Sequence, residues 1–124
     1  MKKKIVIVED NRLLATVLKK MAMSLEFDVL AIAKTGKDAV ETIKKHDPDL
    51  IFMDIFLADD LTGIDVMKQV REFCDAPVIY ITAQSDFQLR KDASSVENSL
   101  FMLKSVNMDE LKTAVDGSLS TPAA

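Results

Sequence analysis

Residues Leu50-Ile51-Phe52-Met53-Asp54 form the stretch that decides the fold, because four apolar residues run without interruption into a carboxylate. An apolar run without alternation is typical of a strand in a parallel sheet, where helices cover both faces. The residue directly after such a strand lies at the carboxyl edge of the sheet, where ligands bind in open α/β folds. This stretch therefore predicts a buried strand that presents Asp54 at a candidate site.

Similar apolar runs recur along the chain and predict four more strands. They lie at 5–8, 29–33, 78–81 and 100–103. Because segments of helical spacing separate the runs, strands and helices alternate five times, as in a parallel sheet with helices on both faces. The favoured topology is flavodoxin-like: a doubly wound α/β fold with five parallel strands in the order 2-1-3-4-5.

The segments between the strands carry helix signals. One face of the first predicted helix has apolar residues at i, i+3, i+4 and i+7, namely Leu14, Val17, Leu18 and Met21. Thr35 is placed to cap the second helix, and Asn107 or Asp109 to start the fifth. We expect one domain over residues 1–120, followed by a frayed tail at 121–124.

The composition excludes several classes of protein. The 124 residues suit one compact domain, and 48% are hydrophobic and 29% charged, as in ordinary globular proteins. No apolar run reaches the roughly 18 to 20 residues of a membrane span, so we expect a cytoplasmic protein without membrane attachment. The net charge of −4, with Lys2 to Lys4 as the one basic run, argues against direct nucleic-acid binding. Cys74 is the single cysteine and is expected to be buried and structural.

Charged and hydroxyl side chains follow four of the predicted strands. Glu9 and Asp10 come after the first strand and Asp54 after the third. Thr82 follows the fourth strand and Lys104 the fifth. These four strands are neighbours in the expected order, so their carboxyl ends should bring the side chains together. Any one of the residues alone would suggest a solvated strand end, whereas all five together predict a functional site.

The residue types indicate magnesium and phosphoryl chemistry. Three close carboxylates repel one another unless a cation lies among them. Mg²⁺, or Mn²⁺ in its place, suits a site of a few carboxylates, and the lack of histidine or thiolate in the set argues against zinc. A carboxylate beside Mg²⁺ can attack a phosphoryl group and form an aspartyl phosphate. Lys104 and the Thr82 hydroxyl would then pair with other phosphoryl oxygens.

At these residues the chain resembles the receiver domain of two-component response regulators. The motifs are Ile5-Val-Ile-Val-Glu-Asp10, Asp49-Leu-Ile-Phe-Met-Asp-Ile55, Gly63-Ile-Asp, Pro77-Val-Ile-Tyr-Ile-Thr-Ala83 and Phe101-Met-Leu-Lys104, and together they span nearly the whole chain. The resemblance implies that Asp54 is the phosphoacceptor. It also implies that Asp10, Asp54 and the Phe56 backbone carbonyl bind Mg²⁺ directly, with Glu9 acting largely through water.

The resemblance further implies a switch and its partners. Thr82 would move toward the phosphoryl group bound by Lys104, and Phe101 would rotate inward. The motion would remodel the face formed by the fourth helix, the fifth strand and the fifth helix, where a downstream target protein or a second copy of the chain would bind. The phosphoryl donor would be a sensor histidine kinase or a histidine phosphotransfer protein. The chain would catalyse only its own phosphorylation and dephosphorylation, with Gln84 and a bulky Phe56 modulating the hydrolysis.

Three departures from the family pattern bear on these expectations. Lys104 precedes Ser105 where the family usually has a cis proline bond, so the sequence predicts either a strained cis bond or a relaxed trans loop. Glu97-Asn98 replaces a common Gly-Ala pair, which predicts a differently shaped output face. The loop from Asp54 to Gly63 is one residue longer than the commonest form, and its acids, Asp59 and Asp60, are expected to be solvated.

Other functions of the same fold fit less well. A receiver-like module that binds a partner without phosphorylation remains the principal alternative, because Ser105 and Glu97-Asn98 depart from the family pattern. A flavin- or nucleotide-binding enzyme would need a phosphate loop after the first strand, where this chain has acidic residues. A magnesium-dependent phosphohydrolase would usually have a second aspartate where this chain has Phe56.

Overall fold

The computed structural model of the protein describes residues 2–83, 86–104 and 107–120, with only the backbone described at Ser120. Each of its strands is followed by a helix. The strands are β1 (Lys4–Val8), β2 (Asp28–Ala33), β3 (Leu50–Met53), β4 (Val78–Thr82) and β5 (Ser99–Leu103), and the helices are α1 (Arg12–Ser24), α2 (Gly36–His46), α3 (Gly63–Val70), α4 (Phe87–Ser94) and α5 (Met108–Ser120). The expectations for Gln84, for the Lys104–Ser105 bond and for the tail at 121–124 lie outside the described residues.

The strands form one sheet in the order β2-β1-β3-β4-β5, and every pair is parallel. The predicted flavodoxin-like topology is therefore confirmed. Val8 of β1 pairs with Met53 of β3, which brings Glu9 and Asp54 to the same edge of the sheet. Thr82 of β4 pairs with Leu103 of β5, so Lys104 follows at that edge as well.

Two apolar layers cover the sheet, one on each face. Ile51 and Met53 of β3 point into the layer shared with α2 and α3. Leu50 and Phe52 of the same strand point into the layer shared with α1 and α5. Because both faces are buried, β3 needs apolar residues at every position, which explains its unbroken apolar run.

Helix α1 is rotated relative to the predicted face. Its buried residues are Ala15, Leu18 and Ala22, whereas Val17 is 43% exposed. The prediction that Val17 belongs to the buried face was therefore wrong. Small alanine side chains on the inner face let the helix approach the sheet closely, and Val17, next to Leu18 in the helix, then turns toward solvent.

Side-chain caps define the helix ends. The Thr35 hydroxyl accepts a hydrogen bond from the Asp38 amide, which confirms the predicted cap of α2. The Asn107 side chain accepts one from the Glu110 amide at 2.8 Å, so α5 is capped by Asn107 rather than by Asp109. Within the described ranges, no helix combines the length and the apolar character that crossing a membrane requires.

Candidate metal centre

Three carboxylates meet at the carboxyl edge of the sheet. Glu9 and Asp10 follow β1, Asp54 follows β3, and one oxygen from each lies within 4.8 Å of the others. The Lys104 ammonium, which follows β5, lies 3.1 Å from Asp54 Oδ2 and 3.3 Å from Glu9 Oε1. The fold thus brings together four of the side chains that the sequence placed at strand ends.

Asp54 is held firmly at the centre of this group. Its side chain is only 4% exposed, and its backbone amide donates to the Val8 carbonyl at 2.9 Å. Asp54 Oδ1 accepts from the Ile55 amide at 2.8 Å, while Oδ2 accepts from Lys104. Both carboxylate oxygens therefore have a fixed direction, and the side chain is ordered before any ligand binds.

Glu9 is buried with less compensation than Asp54. Its Oε2 accepts from the Asn11 amide at 3.1 Å, whereas Oε1 lies 3.3 Å from the Lys104 ammonium without a well-aligned hydrogen bond. Burial raises the pKa of Glu9 to about 7; the Asn11 hydrogen bond opposes the rise, the Asp54 charge adds to it and Lys104 opposes it. The site therefore carries more negative charge than one ammonium neutralises.

Lys104 links the two buried carboxylates. Burial alone would lower the pKa of Lys104, but the hydrogen bond and charge of Asp54, together with the charge of Glu9, outweigh burial and raise it. The Lys104 backbone amide donates to the Thr82 carbonyl at 3.0 Å. The ammonium is thus charged at neutral pH, and the Lys104 backbone is tied to the end of β4.

The donor set fits a hard divalent cation. All three acidic groups offer oxygen ligands, and Asp10 is exposed, so a cation could bind at the mouth of the site and keep water ligands. Mg²⁺ commonly binds in this way, through one or two carboxylates and several waters. Among the described residues, the three clustered carboxylates have a single ammonium, Lys104, within salt-bridge distance, so the cluster carries negative charge that a cation would offset.

The other predicted site residues occupy different surroundings. Thr82 is buried at the last position of β4, beside the site. Phe56 lies in the loop after Asp54, and its side chain is largely exposed. Phe101 is half-buried on β5, with the Arg90 guanidinium 5.1 Å from its ring centroid. The structure thus places Phe101 against α4.

The loop after Asp54 contains a residue whose role the sequence did not reveal. Asp59 is partly exposed to solvent, and in addition its carboxylate accepts from the Gly36 amide at 2.8 Å and from the Lys37 amide at 3.1 Å, contacts that the sequence did not predict. The hydrogen bond from Gly36 is the main cause that holds the pKa of Asp59 below its ordinary value. Asp60 is exposed, as expected.

Gly63 allows this loop to close against Asp54. The Gly63 amide donates to the Ile55 carbonyl at 2.7 Å. A Cβ atom at Gly63 would overlap the Asp54 carbonyl oxygen, which a side chain cannot tolerate. The Gly63-Ile-Asp motif therefore reflects a close approach of α3 to the backbone of Asp54.

Comparison with known proteins agrees with this architecture. The chain is 32% identical over 113 residues to the regulatory protein LuxO of Vibrio cholerae, covering 90% of this chain and 24% of LuxO. It is 29% identical over 118 residues to the chemotaxis protein CheY of Bacillus subtilis, covering 94% of this chain and 98% of CheY. The chain thus spans about a quarter of the length of LuxO but nearly all of CheY.

A solved structure shares the fold. A chain of the CheX–CheY–BeF₃–Mg²⁺ complex from Borrelia burgdorferi superposes with a TM-score of 0.88 at 25% identity, covering 96% of this chain and 90% of that one. The model of the response regulator receiver domain matches residues 5–116, from β1 into α5. The chain therefore belongs to the response regulator receiver domain family.

Proposed function

We propose that this receiver domain accepts a phosphoryl group on Asp54 in a Mg²⁺-dependent reaction and thereby switches a protein-binding face. The observation that supports this most directly is the position of Asp54. Its carboxylate is buried, oriented by the Ile55 amide and Lys104, and close to two further carboxylates that could share a cation. These are the requirements for an oriented nucleophile next to a metal.

The reaction follows from the placement of the side chains. A carboxylate oxygen of Asp54 attacks the phosphorus of a phosphohistidine on a sensor histidine kinase or histidine phosphotransfer protein. A phosphorus–oxygen bond forms as the phosphorus–nitrogen bond breaks, and the imidazole leaves with the bonding electron pair. Mg²⁺, or Mn²⁺, would offset the negative charge that develops on the transferred group. Lys104 is placed to turn its ammonium from Asp54 to a phosphoryl oxygen.

The cation would be held by residues from two strand ends. Asp10 and Asp54 would supply carboxylate oxygens and Phe56 its backbone carbonyl, while Glu9 would act through a bound water. Charge supports this assignment, because Glu9 and Asp54 are buried and only Lys104 compensates them among the described residues. A divalent cation would bring the local charge close to balance.

The response would pass through Thr82 and Phe101. Thr82 lies at the end of β4 next to the site, and Phe101 lies on the neighbouring strand. We propose that Thr82 moves toward the phosphoryl group and that Phe101 turns inward, which changes the face formed by α4, β5 and α5. That face exposes Phe87, Leu100 and Leu103, as a binding surface for a target protein or a second copy of the chain would.

The proposed function also limits the chemistry of the protein and its location. Its chemistry is confined to its own phosphorylation and dephosphorylation, and we propose that it acts in the cytoplasm. CheY has nearly the same length, whereas LuxO is about four times longer, so both free-standing and multidomain relatives exist. An output activity such as that of a longer regulator is therefore not assigned to these residues.

Intact mass spectrometry after incubation with acetyl phosphate tests the proposal. We expect the mass of one phosphoryl group to be added in the presence of Mg²⁺ and lost when Mg²⁺ is removed. Asp54→Asn should abolish the addition, whereas Asp49→Asn, which changes an exposed carboxylate at the other end of β3, should retain it. No addition to wild-type protein under any condition would favour a module that binds its partner without phosphorylation.

A further inference from the structure

The loop that follows Asp54 is anchored at two points. Ile55 is fully buried, and its carbonyl accepts the Gly63 amide at the start of α3. Asp59 forms the second anchor, because both of its carboxylate oxygens accept amides from the first turn of α2. The segment 56–58 lies between the anchors, and Leu57 within it packs against the core, so the position of the Phe56 backbone depends on both anchors together with Leu57.

Residues of the loop and of α2 both contribute to the contact between them. A Cβ atom at Gly36 would lie 2.5 Å from Leu61 Cβ and 3.2 Å from Asp59 Oδ1. Glycine at the first position of α2 therefore leaves the space that the loop occupies. The Thr35 hydroxyl accepts a hydrogen bond from the Asp38 amide. Asp59 accepts those of Gly36 and Lys37, so all three amides of this turn have acceptors.

We propose that Asp59 is a positioning residue for the phosphoryl-transfer site. By binding the first turn of α2, it fixes the loop so that the Phe56 carbonyl faces the cation held by Asp10 and Asp54. The inference rests on the proposed function, because it assigns a role in the binding of that same cation. A carboxylate suits this role, because it accepts two amides at once at the positive end of a helix.

A simple capping role would predict a different outcome from a positioning role. Loss of a cap lowers the stability of the protein but leaves a metal site on other elements unchanged. Loss of a group that orients a ligand typically weakens metal affinity by about 10- to 100-fold. The affinity for Mg²⁺ therefore separates the two roles.

The experiment compares Asp59→Ala with three matched variants. Asp59→Asn keeps an acceptor oxygen without the charge. Asp60→Ala removes the same charge from the exposed neighbouring position, and Thr35→Ala removes a cap from the same helix without touching the loop. The dissociation constant for Mg²⁺ is obtained from the rise of the melting temperature with MgCl₂ concentration, which does not require phosphorylation. The rate of phosphorylation by acetyl phosphate is then measured at limiting and at saturating Mg²⁺.

We expect Asp59→Ala to weaken Mg²⁺ binding about tenfold, as loss of an orienting group does. Phosphorylation should slow at limiting Mg²⁺ and recover at saturating Mg²⁺, and Asp59→Asn should restore part of the affinity. Asp60→Ala and Thr35→Ala should bind Mg²⁺ as the wild type does, although Thr35→Ala melts at a lower temperature.

Two results would overturn the inference in distinguishable ways. If wild-type protein binds Mg²⁺ and is phosphorylated, but Asp59→Ala has the same Mg²⁺ affinity as Thr35→Ala, Asp59 is only a cap and the proposed function stands. If wild-type protein neither gains stability from Mg²⁺ nor accepts a phosphoryl group, the proposed function fails, and the role of Asp59 fails with it.

Discussion

Strands β3 and β5 end in residues that touch each other, yet the two strands are supported very differently. Asp54 after β3 and Lys104 after β5 are joined by a 3.1 Å hydrogen bond. Strand β3 has neighbours on both sides and is buried at all four positions. Strand β5 lies at the edge of the sheet, and its residues are half-buried or exposed. The Asp54 carboxylate thus follows a fully buried strand, and its ammonium partner follows a weakly packed one.

The surroundings of β5 add to the contrast. Helix α4 buries only Ala93 of its own residues, so it covers the strand with little apolar area. The turn before β5 passes through Asn98 in a left-handed conformation, with φ of 55°. The Arg71 guanidinium holds that turn by donating two hydrogen bonds to the Glu97 carbonyl, at 2.7 and 3.1 Å. Polar contacts therefore replace much of the burial that secures β3.

The comparison indicates which part of the molecule can respond to chemistry at Asp54. Segments with little buried apolar area open and shift at low free-energy cost, whereas fully buried strands move only when the whole domain unfolds. Glu97-Asn98, the pair that departs from the family pattern, belongs to the weakly packed region. We therefore expect the larger structural changes in α4 and β5, while β3 stays fixed and the change at Thr82 is limited to the end of β4.

Replacing leucine by alanine should lower the free energy of unfolding much more in β3 than in β5. Leu50→Ala in β3 removes a side chain that is 0% exposed and should lower the free energy of unfolding by about 2 to 5 kcal/mol. Leu100→Ala in β5 removes one that is 42% exposed and should cost about 0.5 to 1 kcal/mol. Urea unfolding measures both values. Similar losses for the two variants would mean that β5 is packed as tightly as β3.

A smaller effect should appear in the pH dependence of stability. Without Mg²⁺, burial raises the pKa of Glu9 from 4.5 to about 7. Between these values the folded protein keeps a proton that the unfolded chain has released, so raising the pH over this range lowers the free energy of unfolding. Glu9→Gln removes the titrating group. We expect the difference between wild type and Glu9→Gln to change across pH 4.5 to 7, in favour of wild type at the acidic end.

Mg²⁺ provides the control for that measurement. A bound cation favours the charged carboxylate, so saturating MgCl₂ should flatten the pH dependence that Glu9 causes. A difference between wild type and Glu9→Gln that stays constant with pH would mean that Lys104 already neutralises Glu9. The Glu9 carboxylate after β1 and the Lys104 ammonium after β5 would then balance each other without a metal.

The sequence alone predicted those features of the fold and site that depend on a strand and on the residues directly after it. Unbroken apolar runs predicted all five strands, and the rule that parallel strands end at one edge brought Glu9, Asp54 and Lys104 together. Both signals are local: each depends on a few consecutive residues and on the alternation of strands with helices. The buried position of Cys74 and the cap at Thr35 were also predicted.

Features that depend on how one element lies against another were not predicted. The exposure of Val17 depends on the rotation of α1, which Ala15 and Ala22 determine by packing against the sheet. The role of Asp59 depends on a helix 22 or 23 residues earlier in the chain. A glycine at the first position of α2 was the one available signal, since Gly36 leaves room for another segment.

The Arg90 side chain, which covers part of β5, should make a smaller contribution to stability. The Arg90 guanidinium lies over the Phe101 ring, 5.1 Å from its centroid, and is largely exposed to solvent. A cation–π contact at such a site contributes about 0.5 to 1 kcal/mol. Arg90→Ala should therefore lower the free energy of unfolding by about that amount and speed amide hydrogen exchange in β5 but not in β3.

Lys91→Ala, an exposed change in the same helix, is the matched control, and Arg90→Lys should keep part of the stabilisation. Faster exchange in both strands would show that α4 supports the whole sheet, whereas an effect limited to β5 would show that one side chain secures the edge strand independently of the strand that carries Asp54.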